Sequence, residues 1–213
     1  MAVTKGGPSG AGADHGPAGN VFDKYHTTNP VYRLLVRSFL RTVRSFTREF
    51  SGPSVLEVGC GEGHLARFLA NGWDAPPIVA FDISPAVVRE AVRLGGGPRF
   101  FVGDSYALPF PDKSFDLVVM CEVMEHLSEP ETALSEISRV ARQGCLVSVP
   151  REPLWRALNL ARGSYWSDWG NTPGHVQWWS KRAFLRLIGR HGTLRAAAAP
   201  YPWTVALFAP GRR

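Results

Sequence analysis

Apolar and polar positions alternate along this chain with the period of a helix in some stretches and as short buried runs in others. Between residues 29 and 50 the apolar positions are spaced by three and four, which predicts one helix. Those positions are Val31, Leu34, Leu35, Phe39, Val43 and Phe46. The opposite face of this helix carries Arg33, Arg37, Arg41, Arg44 and Arg48, which we interpret as a solvated face.

Short apolar runs then alternate with further helical patterns. The predicted strands are 54–58, 78–81, 100–103, 115–121, 144–149, 193–198 and 203–208, and the predicted helices are 64–70, 85–94, 129–141 and 181–190. This rhythm is typical of a parallel sheet with helices on both faces. We therefore predict an α/β fold: a doubly wound, Rossmann-like, seven-stranded mixed sheet with an N-terminal helical cover. Residues 151–179, rich in aromatic side chains, are predicted to form a lid insertion over the sheet edge.

Length and composition limit the class of protein. With 213 residues, of which 45% are hydrophobic, the chain can bury a core without disulfides or a structural metal. Residues 1–20, rich in Gly, Pro and Ala, are predicted to be a disordered tail, and 21–213 a single domain. Three cysteines without CxxC spacing predict reduced thiols, with no disulfide and no zinc cluster. The lack of long apolar runs predicts no transmembrane helix or signal peptide, and hence a cytoplasmic location.

A glycine-rich turn follows the first strand. Glu57 lies inside the strand, and Gly59, Gly61 and Gly63 follow with G-x-G-x-G spacing before a helix begins. Glycine is needed where a backbone turns sharply and a ligand approaches closely. A dinucleotide fingerprint has G-x-G-x-x-G spacing and holds a pyrophosphate, which the carboxylate of Glu57 would repel. The pattern therefore disfavours an NAD enzyme and favours a cationic ligand.

Two further carboxylates are predicted at the same edge of the sheet. The second strand ends at Asp82, about twenty residues after the glycine loop, where an acid can accept hydrogen bonds from both hydroxyls of a ribose. The third strand ends just before Asp104. Ligands of open parallel sheets bind along this carboxyl edge.

The segments EVGCGEGH, FDIS, GDSYALPFPDKSFDLVV and EHL occur in this order. They resemble the successive motifs of class I S-adenosylmethionine-dependent methyltransferases, most closely the type 11 small-molecule group, over about residues 54–150. The resemblance implies S-adenosylmethionine as cofactor, with the glycine loop at its methionine portion, Asp82 at the ribose and Asp104 with Ser105 or Tyr106 at the adenine. The cofactor-binding residues predicted in this way are Glu57, Gly59, Cys60, Gly61, Gly63, Asp82, Ile83, Asp104, Ser105, Tyr106 and Glu122.

The segment after the fourth strand carries candidate catalytic groups. Its E-x-x-E-H spacing is similar to the metal site of small-RNA 3′-terminal 2′-O-methyltransferases and of ubiquinone-pathway catechol O-methyltransferases. That similarity implies a divalent cation held by Glu122, Glu125 and His126 together with the downstream His175. Type 11 enzymes without a metal share the E-H-L pattern, so a histidine acting as general base or positioning residue is the other interpretation. The predicted catalytic residues are His126, His175, Glu125 and Tyr25; Tyr25 stands in an N-terminal segment that folds over the site in related methyltransferases.

Five of the seven tryptophans fall between residues 154 and 180. They indicate either the wall of a pocket for an apolar or planar acceptor or the packing of the lid on the sheet. Residues 154–162 are also mildly amphipathic, which would suit a lipid-linked substrate at a membrane surface.

The hypothesis that follows is methyl transfer to a small-molecule acceptor, by preference a hydroxyl oxygen of a natural product, a sugar or a lipid-linked intermediate. RNA 2′-O-methylation is an alternative that would use the net charge of +6 and the E-x-x-E-H pattern. It is disfavoured because the chain has no lysine-rich arm or appended RNA-binding domain. A cofactor-binding module without catalysis is the third interpretation, and the sequence leaves the oligomeric state open.

Overall fold

A computed structural model describes residues 28–50, 54–71, 78–161 and 169–211. Within these ranges the helices are α1 (Pro30–Thr47), α2 (His64–Ala70), α3 (Pro85–Leu94), α4 (Pro130–Val140), α5 (Leu154–Ala161) and α6 (Lys181–His191), with a 3-10 turn at Met124–His126. The strands are β1 (Val55–Val58), β2 (Val79–Asp82), β3 (Arg99–Val102), β4 (Phe115–Cys121), β5 (Ala141–Pro150), β6 (Gly192–Ala198) and β7 (Trp203–Pro210).

The strands form one mixed sheet in the order β3-β2-β1-β4-β5-β7-β6. The pairs formed among β1 to β5 are all parallel. Strand β7 pairs antiparallel with β5, and β6 pairs antiparallel with β7. The chain winds outward from β1 through β2 to β3 and then returns to β4 on the other side of β1. This confirms the predicted doubly wound, seven-stranded sheet.

The first helix shows how the sequence sets an element. The side chain of Asn29 accepts a hydrogen bond from the Val31 amide at 2.9 Å, and Pro30 occupies the first helical turn, where no amide hydrogen is needed. Val36, Phe39 and Val43 are buried, while Arg33, Arg37 and Arg41 are exposed. The predicted amphipathic cover is therefore present, but Val31 and Leu34 of the predicted apolar face are exposed. Arg44 of the predicted solvated face is instead partly buried and donates to the Phe68 carbonyl at 2.7 Å.

Two hydrophobic clusters cover the two faces of the sheet. One contains buried side chains of α4 and α6, such as Leu134 and Phe184. The other contains those of α1 and α2, such as Phe39 and Leu69, together with Trp203 of β7. Helices on both faces leave the ends of the parallel strands as the accessible part of the sheet.

Most predicted element bounds agree with the structure within two residues, and the exceptions are the end of α1, which stops at Thr47 rather than at 50, and the start of β5. Strand β5 begins at Ala141, three residues before the predicted start at 144, because α4 passes directly into the strand at Val140. The described part of the predicted lid (151–179) contains α5 and residues 169–179. The predicted tail (1–20), the candidate Tyr25 and the lid aromatics Tyr165 and Trp166 lie outside the described residues.

Cys60, Cys121 and Cys145 are all buried. None of the helices in the described ranges is long and apolar enough to cross a membrane.

Asp116 ties three strands together at the amino edge of the sheet. Its carboxylate accepts hydrogen bonds from the amide and hydroxyl of Ser54, before β1, and from the side chains of Arg142 and Gln143 in β5. Burial by itself raises the pKa of Asp116, but these hydrogen bonds outweigh it and lower the pKa to about 2.

Replacing Asp116 with asparagine is therefore expected to reduce the free energy of unfolding at pH 7 by about 1–2 kcal/mol. A carboxyl group with a lowered pKa stabilises the fold above the pKa of the unfolded chain, near 4, and loses this contribution as the pH falls toward 2. Urea denaturation at a series of pH values measures the effect. Asp112→Asn is the control, because Asp112 is an exposed acid that forms an ion pair with Arg139. An equal loss of stability at pH 2 and pH 7 would contradict the electrostatic explanation.

Candidate active site at the carboxyl edge of the sheet

The candidate site lies where the winding of the sheet reverses, between β1 and β4. Neighbouring loops part at such a switch point and leave a crevice beyond the strand ends. Strands β1, β2, β3 and β4 all end at this edge. The loops that follow them carry most of the predicted site residues.

The loop after β1 is fixed by hydrogen bonds to β2. The amides of Gly59 and Cys60 donate to the Phe81 carbonyl at 2.8 and 2.9 Å, and the Gly61 amide donates to Asp82 Oδ2 at 3.0 Å. Gly59 and Gly61 both have positive φ, at 71° and 54°. The predicted turn is therefore present, and it brings the backbone close to β2.

Asp82 is buried, yet its carboxylate has capacity for a ligand. Its Oδ2 accepts from the Gly61 amide and its Oδ1 from the Ser84 amide, each at 3.0 Å. A carboxylate has about four acceptor positions, so each oxygen can accept one more hydrogen bond. Asp82 can therefore accept two further hydrogen bonds, one at each oxygen.

The electrostatics of the glycine loop favour a cation. Glu57 is buried within β1, 3% exposed, and Asp82 is 7% exposed. Burial raises the pKa of the Cys60 thiol, and the negative charges of Glu57 and then Asp82 raise it further. Cys60 is thus held as a neutral thiol beside two carboxylates, and a positively charged group bound here gains from both of them.

The loop after β3 contains Asp104, Ser105 and Tyr106, all partly buried. Asp104 Oδ1 accepts from the Tyr106 amide at 2.8 Å. The Tyr106 hydroxyl lies 3.2 Å from Ser128 Oγ and accepts from the Glu129 amide at 3.1 Å, so it joins this loop to the one before α4. The partly buried Ile83 follows Asp82 at the same edge.

Glu122 does not join the other predicted metal ligands. Its backbone takes a left-handed conformation, with φ of 60°, as the chain leaves β4. Its carboxylate accepts hydrogen bonds from Ser148 Oγ at 3.1 Å and from the indole nitrogen of Trp203. The predicted set of four metal ligands is therefore corrected to three, because the turn directs the Glu122 side chain toward β5 and β7.

The other three predicted ligands come together. One potential ligand atom each from Glu125, His126 and His175 lies within 4.8 Å of the others. The two imidazole rings meet edge to face with their centroids 4.9 Å apart. We call these three residues the histidine cluster; Glu125 and His175 are buried, and His126 is partly buried.

Segment 171–180 brings His175 to this cluster. Its Val176 and Gln177 amides donate to the backbone carbonyl of Glu125 at 2.8 and 3.1 Å. The Gly174 carbonyl lies 3.0 Å from His126 Nδ1. A carbonyl only accepts, so His126 Nδ1 carries a proton in this arrangement, and in the neutral imidazole Nε2 is then the basic nitrogen.

Sequence reasoning missed the residues that support this site. A Cβ on Gly59 would lie 2.3 Å from Val123 Cγ2, so the side chain that follows Glu122 packs directly on the glycine loop. Ser148 and Trp203 fix Glu122, and Gly174 orients His126. No spacing in the sequence signals these contacts, because each joins segments that are distant along the chain.

A family model described as a methyltransferase domain matches residues 56–149. A demethylmenaquinone methyltransferase of Renibacterium salmoninarum is 34% identical over 127 residues, which cover 59% of this chain and 52% of that protein. A malonyl-[acyl-carrier protein] O-methyltransferase of Paenibacillus is 34% identical over 99 residues, covering 43% of this chain and 36% of that protein. Residues 56–149 of this chain are thus similar to a methyltransferase domain, and the two relatives are both named as methyltransferases.

Solved structures show the same fold. Magnesium protoporphyrin IX methyltransferase of Synechocystis with bound S-adenosylhomocysteine superposes with a TM-score of 0.64 at 20% identity, over 87% of this chain and 89% of that one. A Pyrococcus horikoshii protein superposes with a TM-score of 0.70 at 19% identity, over 90% and 97% of the two chains. A second structure of the same Synechocystis enzyme contains bound S-adenosylmethionine. The chain spans about a third to a half of the length of the two curated relatives above.

Proposed function

We propose that this protein is a methyltransferase that moves the methyl group of S-adenosylmethionine to a small-molecule acceptor, and that the acceptor atom is a hydroxyl oxygen. The observation that carries the proposal is the position of the histidine cluster. Val123, two residues before Glu125, packs against Gly59 of the glycine loop. The segment that carries Glu125 and His126 is therefore in contact with the loop that is proposed to bind the cationic cofactor.

The cofactor is proposed to lie along the carboxyl edge from β1 to β3. Glu57 and the glycine loop face the positively charged methionine portion, since both nearby carboxylates favour a cation. Asp82 accepts from the two ribose hydroxyls, and the loop of Asp104, Ser105 and Tyr106 borders the adenine.

The reaction needs alignment and the removal of one proton. The acceptor oxygen forms a bond to the methyl carbon, and the carbon–sulfur bond breaks with its electron pair remaining on sulfur, which gives neutral S-adenosylhomocysteine. The hydroxyl proton moves to Nε2 of His126, and the imidazolium passes it to solvent. Gly174 keeps His126 in the tautomer that this step requires.

A divalent cation at the histidine cluster is the alternative means of activating the hydroxyl. Glu125, His126 and His175 fit such an ion, because they offer one carboxylate and two imidazoles within 4.8 Å and His126 Nδ1 already bonds a carbonyl. When bound, the ion would lower the pKa of a coordinated hydroxyl. Glu122 would take no part, since Ser148 and Trp203 hold its carboxylate.

His126 variants distinguish a general base from a positioning residue. His126→Asn retains a donor for the Gly174 carbonyl but removes the base, and His126→Ala removes both. We expect both variants to lower kcat by about 100-fold or more while the affinity for S-adenosylhomocysteine stays unchanged. Transfer of tritium from labelled S-adenosylmethionine to a fatty acid, a prenylated hydroquinone and a catechol, followed by chromatography, measures the rate.

The general-base mechanism predicts that EDTA leaves the wild-type rate unchanged. Loss of activity in EDTA that Mg²⁺ or Mn²⁺ restores would favour the cation instead. Near wild-type activity of His126→Asn would show that His126 only positions segment 171–180. Labelled product in an RNA fraction, with binding that weakens steeply with salt, would favour RNA methylation.

A further inference from the structure

A groove of about 470 Å³ lies between α4 and α6, beside segment 171–180. Pro130 and Glu131 form one side, Arg186 and Leu187 the other, and Gln177 and Trp179 the end. This volume is within the range of pockets that bind small molecules. We call it the α4–α6 groove.

The base of the groove is apolar. Trp179 is partly buried, and its ring lies 6.3 Å from that of Phe184, which is fully buried in α6. Leu187 is 6% exposed. A planar ring or an alkyl chain in the groove would find an aromatic face and an aliphatic floor.

The rim of the groove is cationic. Arg190 forms an ion pair with Glu131 at 2.9 Å, which neutralises the groove's acid. Arg186 is exposed and has no ion pair within the described part of the chain. A guanidinium is always charged and presents paired donors that match a carboxylate or phosphate. The groove therefore combines an apolar floor with a cation that is not neutralised.

The groove and the histidine cluster share one segment. The Gln177 amide donates to the Glu125 carbonyl at 3.1 Å, and the Gln177 side chain donates to the Ser128 carbonyl at 3.4 Å. Gln177 and Trp179 follow His175 by two and four residues along this segment. A molecule seated in the groove is thus next to the segment that supplies the candidate catalytic histidine.

We propose that the α4–α6 groove binds the acceptor, and that the acceptor carries an anionic group, a carboxylate or a phosphate, on an apolar or planar body. Arg186 holds the anion, and Trp179 contacts the body. This inference rests on the proposed function, because it assigns the groove to the acceptor of the same reaction.

Matched aromatic probes test the groove without knowledge of the natural acceptor. Calorimetric titrations use 2-naphthoate, 2-naphthyl phosphate and the neutral 2-naphthamide, each with the full chain saturated with S-adenosylhomocysteine. At least one anionic probe is expected to bind roughly tenfold more tightly than the amide. The preferred anion distinguishes a carboxylate from a phosphate.

Arg186→Ala is expected to remove the preference for the anion. Arg182→Ala is the control, because Arg182 is exposed on the same helix one turn earlier and does not line the groove. Equal binding of anionic and neutral probes, or the same loss in both variants, would overturn the proposal. A separate titration with S-adenosylhomocysteine alone tests the proposed function: if the cofactor product does not bind, that function fails whatever the probes do.

Discussion

Asp82→Ala is expected to weaken S-adenosylhomocysteine binding by about 100-fold or more. Each hydrogen bond to a charged acceptor contributes about 1.5–3 kcal/mol, and Asp82 is proposed to accept one from each ribose hydroxyl. The variant also removes the acceptor for the Gly61 amide, which helps to fix the glycine loop. Isothermal titration calorimetry measures the dissociation constant directly.

Two further variants separate the ribose contact from loss of structure. Asp82→Asn keeps the size of the side chain but loses its charge, so an intermediate affinity is expected. Asp112→Ala removes an exposed acid on the loop before β4 and should bind like the wild-type protein. A folded Asp82→Ala protein with wild-type affinity would refute the assignment of Asp82 to the ribose.

Gly59→Ala is expected to lower the free energy of unfolding by about 2–5 kcal/mol. With φ of 71°, Gly59 has a left-handed backbone, which costs about 1–2 kcal/mol for an alanine. The new Cβ would lie 2.3 Å from Val123 Cγ2, and relieving such overpacking costs about 1–3 kcal/mol more. Because β4 and the glycine loop would be forced apart, the affinity for S-adenosylhomocysteine should fall as well. Urea denaturation and calorimetry measure the two effects.

Gly95→Ala is the control for backbone strain without a clash. Gly95 has φ of 65° and ψ of −148°, a region that is essentially restricted to glycine, and nothing lies within 4 Å of the position that a Cβ would take there, so only backbone strain of about 1–3 kcal/mol applies. Combining Gly59→Ala with Val123→Ala removes the clash, so the double variant should be more stable than the two single effects predict. Strict additivity would show that the contact with Val123 is unimportant.

The sequence predicts the fold, and the residues that lie at the carboxyl edge of the sheet, well because both depend on local patterns. The apolar run of β4 and the helical period of α3 each predict one element, and the order of such elements implies a doubly wound sheet. That sheet brings Asp82 and Asp104 to one edge. The glycine spacing around Gly59 predicts the turn without knowledge of its neighbours. Each of these patterns can be recognised within a short stretch of the sequence.

The acceptor side is less predictable, because its geometry depends on contacts between distant segments. The spacing of Glu122, Glu125 and His126 suggests three neighbouring ligands, yet the left-handed turn at Glu122 sends one of them to Trp203. The five tryptophans between residues 154 and 180 likewise indicate a pocket or a packed lid, but the sequence does not show which ring has which role. In the structure Trp155 packs near Trp203, whereas Trp169 is 80% exposed.

The bond between His126 and Gly174 joins residues 48 positions apart and has a consequence for how this protein can diversify. Segment 171–180 both borders the α4–α6 groove and sets the tautomer of the proposed base. A substitution there that suits a new acceptor therefore also shifts the group that deprotonates it. Substrate range and turnover rate cannot evolve independently through this segment, whereas substitutions of α6 residues such as Arg186 change the groove without touching the base.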